Sequence, residues 1–360
     1  MKSTIELLEG LPVPLDVKRK MNDFKKEVRK DAKGEKCLLC GEKVTSFCNS
    51  HSLPNFVIKS IAVEGKIRTF QSFIEFDYFD DEQGVNKSGV FHNICNKCDS
   101  SFFSDYEDPQ KIRMNFTEVI LAQIAVKNSL KRIFSEKEEI VRQENLIEII
   151  NSDYEFIFNE TVEKNKINLR ENELELVRAK NAISSKDGKF RIIYETLLDY
   201  KVCIATQTVI TLVFDLEGNI INNIWDVDPN NMMRGIHVCI YPQEGFTKII
   251  LFIEKINFFK YKNFINQFNK LNDDKKLHLI SNLLLLYTEE VYFTPLLSSE
   301  VLENEKIKKM VFASFEVISI YNSHEEGFKR KFYEMYSIAT DFSSPNLLSR
   351  DLSIEKISAI

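Results

Sequence analysis

Two Cys-x-x-Cys pairs constrain this chain more than any other feature. The first reads Cys37-Leu-Leu-Cys40 and is followed by Gly41, and the second reads Cys95-Asn-Lys-Cys98. Two thiolates at this spacing can bind one zinc ion, while a following glycine permits the tight turn around the metal. Four soft thiolates suit a closed, tetrahedral structural site. We therefore predict one structural Zn²⁺ ion bound by all four cysteines.

Length and composition are those of a globular protein. The chain has 360 residues, 44% hydrophobic and 28% charged, with a net charge of -6. No apolar run approaches the roughly 20 residues that a membrane-spanning helix needs. The first residues lack the continuous apolar segment of a signal peptide. We therefore expect a cytoplasmic protein without a membrane partner, in which the cysteine pairs bind metal rather than form disulfides.

A basic segment precedes the first cysteine pair. Residues 18–36 hold nine basic side chains against four acidic ones. One interpretation is a solvated helix face with ion pairs between residues one turn apart. The other is an arm that contacts phosphate groups just ahead of the zinc segment. The negative net charge does not exclude the second interpretation, because salt confines charge effects to about 10 Å.

The hydrophobic pattern predicts an α+β protein with a helical middle region. A helical pattern without Gly or Pro runs from Phe116 to about Ile183, and Thr117–Arg132 is apolar nearly all round, which is typical of a buried helix. Ser184–Gly188 is the clearest boundary signal. We expect five segments: a basic helical lead-in (1–36), a zinc module (37–110), a helical region (111–185), a mixed α+β domain (186–300) and a helical extension with a tail (301–360).

The segment after residue 186 favours strands followed by helices. Leu216–Asn219 predicts a hairpin turn, and Asn272 or Asp273 is expected to cap a helix. The segment has no phosphate-binding glycine loop and no nucleophile elbow, so we interpret it, by elimination, as a recognition or regulatory domain. Runs rich in Ile, Val, Thr and aromatic residues predict strands over Phe190–Tyr200, Val202–Phe214, Ile220–Trp225, Gly235–Tyr241 and Thr247–Ile253.

Between the two cysteine pairs lies the segment Asn49-Ser50-His51-Ser52-Leu53-Pro54-Asn55-Phe56. It follows a predicted strand, Val44–Cys48, and should lead into a helix over Asn55–Ala62. Across residues 37–108 this arrangement resembles the HNH endonuclease family, in the branch whose Cys-x-x-Cys pairs flank a ββα-metal core. The resemblance implies a treble-clef-like zinc fold beside a separate catalytic site. There His51 would be the general base that activates water, and a Mg²⁺ or Mn²⁺ ion would hold the scissile phosphate.

Three features depart from the family pattern. Ser50 stands where the family has a metal-binding acid or histidine, and the Gly-Gly turn after the His-x-x-Pro element is missing. Asp99 stands where the family has His or Asn, although an aspartate can ligate Mg²⁺ or Mn²⁺. Glu107, Asp108 and Asn93 are candidates to replace the ligand that Ser50 does not supply.

Two hypotheses follow. The first is an HNH-like zinc protein that acts on nucleic acid, DNA rather than RNA, as a divalent-metal-dependent endonuclease with His51 as the base and Asp99 as a cation ligand. The second is a non-catalytic, zinc-stabilised module that binds nucleic acid or protein. In the second, His51 has only a structural role: it hydrogen-bonds a backbone carbonyl and caps the helix that starts near Pro54. The two hypotheses differ in whether acidic oxygens converge on His51.

Overall fold

A computed structural model of the chain describes residues 15–70, 82–149, 155–185, 187–223, 228, 231–319 and 336–359. The α+β class predicted from the sequence is confirmed, with a helical middle region and a C-terminal five-stranded sheet. Residues 1–14 of the basic lead-in and Trp225 of a predicted strand lie outside the described residues.

The N-terminal part consists of one regular helix followed by short elements. Strand β1 pairs antiparallel with β4, and β2 pairs antiparallel with β3. The elements are α1 (Leu15–Asp31), β1 (Ser50–His51), α2 (Asn55–Ile61), β2 (Lys66–Ile67), β3 (Gln83–Gly84), β4 (Val90–Phe91), α3 (Asn96–Phe102) and α4 (Pro109–Ile112).

The predicted strand Val44–Cys48 does not form. The amide of Val44 donates to the carbonyl of Glu35, and the amide of Cys48 donates to the carbonyl of Ile94. These two acceptors lie on different irregular segments. The amides of Val44 and Cys48 therefore have hydrogen-bond partners although the segment pairs with no neighbouring strand. The extended pairing falls instead on Ser50 and His51, which brings His51 opposite Val90.

A long helical hairpin forms the middle of the chain. Helix α5 (Glu118–Ile149) and helix α6 (Glu155–Ile183) pack along each other. The helical pattern predicted from Phe116 to about Ile183 thus forms two helices, and no Gly or Pro interrupts either of them. Residues 120–130 are all buried, as the apolar pattern predicted. This part of α5 is therefore the central helix of the molecule.

The C-terminal sheet is antiparallel throughout, with the strand order β5-β8-β7-β6-β9. Residues 221–223 form no strand, so the predicted strand at Ile220–Trp225 is not seen in the part that is described. Asn272 caps its helix as predicted, since its side chain accepts the Lys275 amide at 2.9 Å. The elements are β5 (Phe190–Leu198), β6 (Ile204–Ile210), β7 (Ile236–Gln243), β8 (Phe246–Glu254), α7 (Phe258–Asn269), α8 (Asp273–Tyr287), β9 (Val291–Phe293), α9 (Ser299–Leu302), α10 (Glu305–Ser319) and α11 (Ile354–Ile357).

Each face of this sheet is covered by helices. One face packs against α7, α8 and α10, and strand β8 is buried over its whole length. The opposite face packs against α5 and α6 and against α2 of the zinc segment. The zinc segment and the sheet thus share one hydrophobic core, in which Val57 and Ile58 lie with Ile250 and Phe252.

A polar chain crosses the core between α5 and the sheet. The Asn128 amide lies 3.0 Å from Nδ1 of His237, and Gln207 donates to the Asn128 side-chain oxygen at 3.2 Å. Tyr241 donates its hydroxyl hydrogen to Gln207. His237 stacks on Phe252 with 4.5 Å between ring centroids. Burial lowers the pKa of His237 to about 3, so the ring stays neutral in the folded protein.

The depressed pKa of His237 predicts an acid-dependent loss of stability. The unfolded chain takes up a proton on this ring below about pH 6.5, whereas the folded protein resists it until about pH 3. The contribution of His237 to the free energy of unfolding is therefore fully present above about pH 6.5. It decreases as the pH falls from 6.5 to about 3, by up to about 1.4 kcal/mol per pH unit. His237→Gln keeps a hydrogen-bonding side chain and removes the titration. In urea unfolding between pH 7 and 4.5, the free energy of unfolding should decrease less steeply with falling pH in the variant than in wild type. Equal slopes in the two proteins would contradict this assignment.

Candidate metal centre

The first cysteine pair forms a tight turn. Gly41 has a φ of 77°, and its amide donates to the carbonyl of Cys37 at 2.8 Å. This positive φ is the conformation that glycine adopts without strain, which explains why Gly follows the pair. The amide of Cys95 donates to Sγ of Cys37 at 3.3 Å. Burial opposes ionisation of Cys37, but backbone hydrogen bonds outweigh it and lower the pKa of this thiol to about 7.

The second pair lies at the start of a helix. Cys95 is the N-cap of α3, and Cys98 follows in its first turn. Because α3 begins at Asn96, directly after Cys95, both sulfurs of this pair lie on the side that faces the first pair. The ligand atoms of Cys37, Cys40, Cys95 and Cys98 lie within 4.8 Å of one another.

The donor set fits zinc. A tetrahedral ion with Zn–S bonds near 2.3 Å separates its sulfurs by about 3.8 Å, slightly less than the observed limit. Four thiols without disulfide bonds supply the soft ligands that zinc prefers. Only these four form a group of three or more His, Cys, Asp or Glu side chains within metal-binding reach, among the residues that are described.

Hydrogen bonds attach the centre to both helices of the hairpin. Leu38 donates its amide to the carbonyl of Asn93, and the Asn93 side chain donates to the carbonyl of Leu130 on α5 at 2.7 Å. Lys180 on α6 donates to the carbonyl of Leu39, inside the first cysteine pair, at 3.0 Å. The metal centre therefore fixes the position of α5 and α6 as well as its own turn.

Asp99 lies beside the cysteine cluster with its carboxylate fully engaged. Ser50 donates its hydroxyl to Oδ1 at 2.6 Å, Cys48 donates its thiol to Oδ2 at 3.3 Å, and Lys127 donates its ammonium to Oδ1 at 2.9 Å. Burial favours protonation of Asp99, but the Lys127 charge and these hydrogen bonds outweigh it and lower the pKa. Ser50, which replaces the family's acidic residue, thus serves as a donor to Asp99.

Lys127 is the residue that sequence reasoning missed. Its side chain is only 1% exposed, and its ammonium also pairs with Glu107 at 3.2 Å. The ammonium lies 3.8 Å from the ring centroid of Phe103, where the ring face favours a cation. The one available signal was a lysine inside the apolar run of α5, since a buried lysine requires a partner. Nothing in the sequence identified that partner as Asp99.

Of the three candidates to replace the missing acid, only Glu107 joins this network. Asp108 instead caps α4, where its side chain accepts the Gln110 amide at 2.9 Å. Asn93 donates to the carbonyl of Leu130. Burial raises the pKa of Glu107, and the Lys127 charge opposes that effect. One ammonium and two carboxylates therefore share this interior site.

His51 lies on β1, next to Ser50 in the sequence. Its ring lies near the backbone of Val85, and its Nε2 is buried without a hydrogen-bonding partner among the described residues. Burial lowers the pKa of His51, so the ring is neutral at pH 7. Helix α2 has Pro54 as its N-cap and no side-chain capping hydrogen bond, so the expected capping by His51 is not seen. The unpartnered Nε2 is the atom that a general base would use.

No protein-family model, curated protein or solved structure matches this chain. The resemblance to HNH endonucleases therefore rests on the residues between Cys37 and Asp108 alone. Within the described parts of the chain, none of the helices has the length and apolar character needed to cross a membrane.

The four-cysteine centre predicts about one zinc per chain in protein purified without chelator. Cys37→Ser or Cys98→Ser should abolish zinc binding and unfold the N-terminal segment, because structural zinc contributes on the order of 10 kcal/mol to folding. Cys48→Ser is the matched control, since Cys48 lies near the centre but outside the four-cysteine group. Elemental analysis and circular dichroism check this, and wild type without zinc would refute the assignment.

The buried ammonium predicts a large effect for Lys127→Met. The change leaves the carboxylates of Asp99 and Glu107 without a counter-charge. Breaking a fully buried pair typically costs about 3–5 kcal/mol, and because these two side chains are 22% and 36% exposed we expect about 2–3 kcal/mol. Adding Asp99→Asn should recover part of the loss, because the orphaned charge is then removed. Urea unfolding of zinc-saturated protein measures both variants. A loss below about 1 kcal/mol in the single variant, or no recovery in the double variant, would contradict the pairing.

Proposed function

We propose that this chain is a zinc-stabilised nucleic-acid-binding protein whose HNH-like segment is not hydrolytic. The observation that carries the second part is the ammonium of Lys127, which lies 2.9 Å from Asp99 Oδ1. A divalent cation at Asp99 would have to displace this buried ammonium or bear its repulsion. The cation position of an HNH site is thus filled by the protein's own charge.

The binding part of the proposal rests on α1. Val28 and Ala32 are buried, and Arg29 pairs with Glu138 on α5 at 3.4 Å. These contacts hold one side of the basic segment against the hairpin and leave the other side in solvent. A fixed row of cations next to a folded module is the arrangement that contacts successive phosphates. Eight basic residues of the segment are exposed: Arg19, Lys20, Lys25, Lys26, Arg29, Lys30, Lys33 and Lys36.

One observation favours a second candidate, a divalent-metal-dependent endonuclease. The His51 ring is neutral at pH 7, and its buried Nε2 is left without a partner among the described residues. A general base needs such a neutral imidazole with a nitrogen able to accept a proton. For this candidate, Asp99 would have to exchange Lys127 for Mg²⁺ or Mn²⁺ when substrate binds.

The salt dependence of binding tests the proposed function. Replacing Lys26, Lys30 and Lys33 by Gln should weaken binding of single- and double-stranded DNA and RNA. The slope of log K against log salt should become shallower by about 0.7–0.9 per lost phosphate contact. The control replaces Lys262, Lys270 and Lys275, three exposed lysines on or next to the helices that cover the opposite face of the sheet. Fluorescence anisotropy should detect binding, and equal slopes in both triple variants would assign α1 to a solvated helix face.

Cleavage assays separate the two candidates. We expect wild type to bind but not cut nucleic acid in Mg²⁺ or Mn²⁺, and His51→Ala to bind unchanged. If wild type cuts and His51→Ala loses about 10²–10⁴-fold in rate while it keeps its zinc, the endonuclease is the correct function. If His51→Ala unfolds, the histidine is structural.

A further inference from the structure

A groove of about 460 Å³ lies where four parts of the chain meet. Arg29 comes from α1, His92 from the zinc segment, Lys131 from α5 and Glu289 from the turn ahead of β9. We call this site the junction groove. Its volume falls in the range of pockets that hold small organic groups. None of the four cysteines lines it, so it is separate from the metal centre.

Glu289 is a carboxylate of the junction groove whose oxygens both have unused acceptor capacity. Glu138 lies opposite Arg29, and Glu290 pairs with Lys131 at 3.2 Å and accepts the Tyr292 hydroxyl at 3.1 Å. Glu289 makes no hydrogen bond or ion pair within the described parts of the chain. The side chain of Glu289 reaches solvent in the groove, and partial burial, followed by the charge of Glu290, raises the pKa of its carboxylate. A ligand that brings N–H donors would find both carboxylate oxygens able to accept hydrogen bonds.

The arrangement of hydrogen-bond donors and acceptors in the junction groove determines which nucleobase fits it. Glu289 offers two carboxylate oxygens, and the Lys131 ammonium beside Glu290 offers N–H donors. Guanine presents two neighbouring donors, N1–H and the N2 amino group, next to its O6 acceptor. Thymine and uracil present one donor between two carbonyl oxygens. Carboxylates accept hydrogen bonds from base amino groups, which adenine and cytosine also carry, but in those bases a ring-nitrogen acceptor stands next to the amino group. Lysine pairs with guanine O6 in known recognition, and guanine alone offers two adjacent donors beside that oxygen, so guanine is the best complement.

An aromatic ring is available to stack on the base. His92 packs edge-on against Phe134, with 5.7 Å between ring centroids and an angle of 78°. Its ring nitrogen Nδ1 lies 3.3 Å from the carbonyl of Cys48, which fixes the ring orientation. Burial lowers the pKa of His92, so the ring is neutral at pH 7. Unpaired bases commonly stack on such rings.

We propose that the junction groove binds one unpaired guanine of a single-stranded nucleic acid. Glu289 accepts hydrogen bonds from N1–H and the N2 amino group, Lys131 donates to O6, and His92 stacks on the base. This inference rests on the proposed function, because the phosphates on either side of the base would follow α1. Arg29 belongs to both sites and links them.

The test compares three DNA oligonucleotides of eleven nucleotides. Each is oligothymidylate, with thymine, guanine or inosine at the centre. Wild type should bind the guanine form about tenfold more tightly than the all-thymine form, as expected for one bidentate contact. The inosine form should bind with intermediate affinity because it lacks the N2 amino group.

Two matched variants test whether Glu289 is responsible for the guanine preference. Glu289→Gln should reduce the guanine preference to within about threefold without changing the salt slope, because Glu289 contacts no phosphate. Glu144→Gln removes the same charge from an exposed position on α5 outside the groove and should keep the full preference.

The outcomes separate this inference from the proposed function. Binding with a normal salt slope but no guanine preference overturns the guanine site and leaves nucleic-acid binding intact. A guanine preference that survives in Glu289→Gln also overturns the site, since the base is then read elsewhere. No binding of any oligonucleotide at low salt overturns the proposed function and the guanine site together.

Discussion

The structure around the metal centre depends on one buried ammonium. Lys127 is almost fully enclosed and lies between the carboxylates of Asp99 and Glu107. Removing a lysine from water costs several kcal/mol unless charges and hydrogen bonds replace its hydration. Two carboxylates, the Ser50 hydroxyl and the face of the Phe103 ring supply that replacement. The central helix α5 can therefore carry a charge through the apolar core only where the zinc segment supplies Asp99.

This dependence joins the metal centre to the sheet. Asp99 directly follows Cys98, so a metal bound by the cysteine cluster would position its carboxylate for Lys127. Asn128, the next residue after Lys127 on α5, contacts His237 on β7. Lys180 on α6 donates to the backbone of Leu39. A change at the cysteine cluster is therefore expected to act on both helices of the hairpin and on the sheet face that they cover.

The parts that sequence could predict are those set by local spacing. The cysteine pairs have the spacing of metal ligands, Thr117–Arg132 is apolar nearly all round, and Asn272 is followed by an acidic first turn. Each of these features could be assigned from its sequence neighbours alone. The pairing of Lys127 with Asp99 spans 28 residues and depends on tertiary packing. The role of Ser50 depends on the same tertiary packing. The sequence indicates only that a serine replaces the family's metal-binding residue, whereas the structure has its hydroxyl donate to the carboxylate that pairs with Lys127.

The central claim is that Lys127 takes the place of the divalent cation in an HNH-like site. The most direct test is an anomalous-scattering experiment on crystals of the zinc-loaded protein soaked in Mn²⁺, with data collected at energies that distinguish the two metals. The account predicts one zinc peak among the four cysteines and no manganese peak at Asp99 or His51. A manganese peak within coordination distance of Asp99, with Lys127 displaced from its carboxylate, would contradict it.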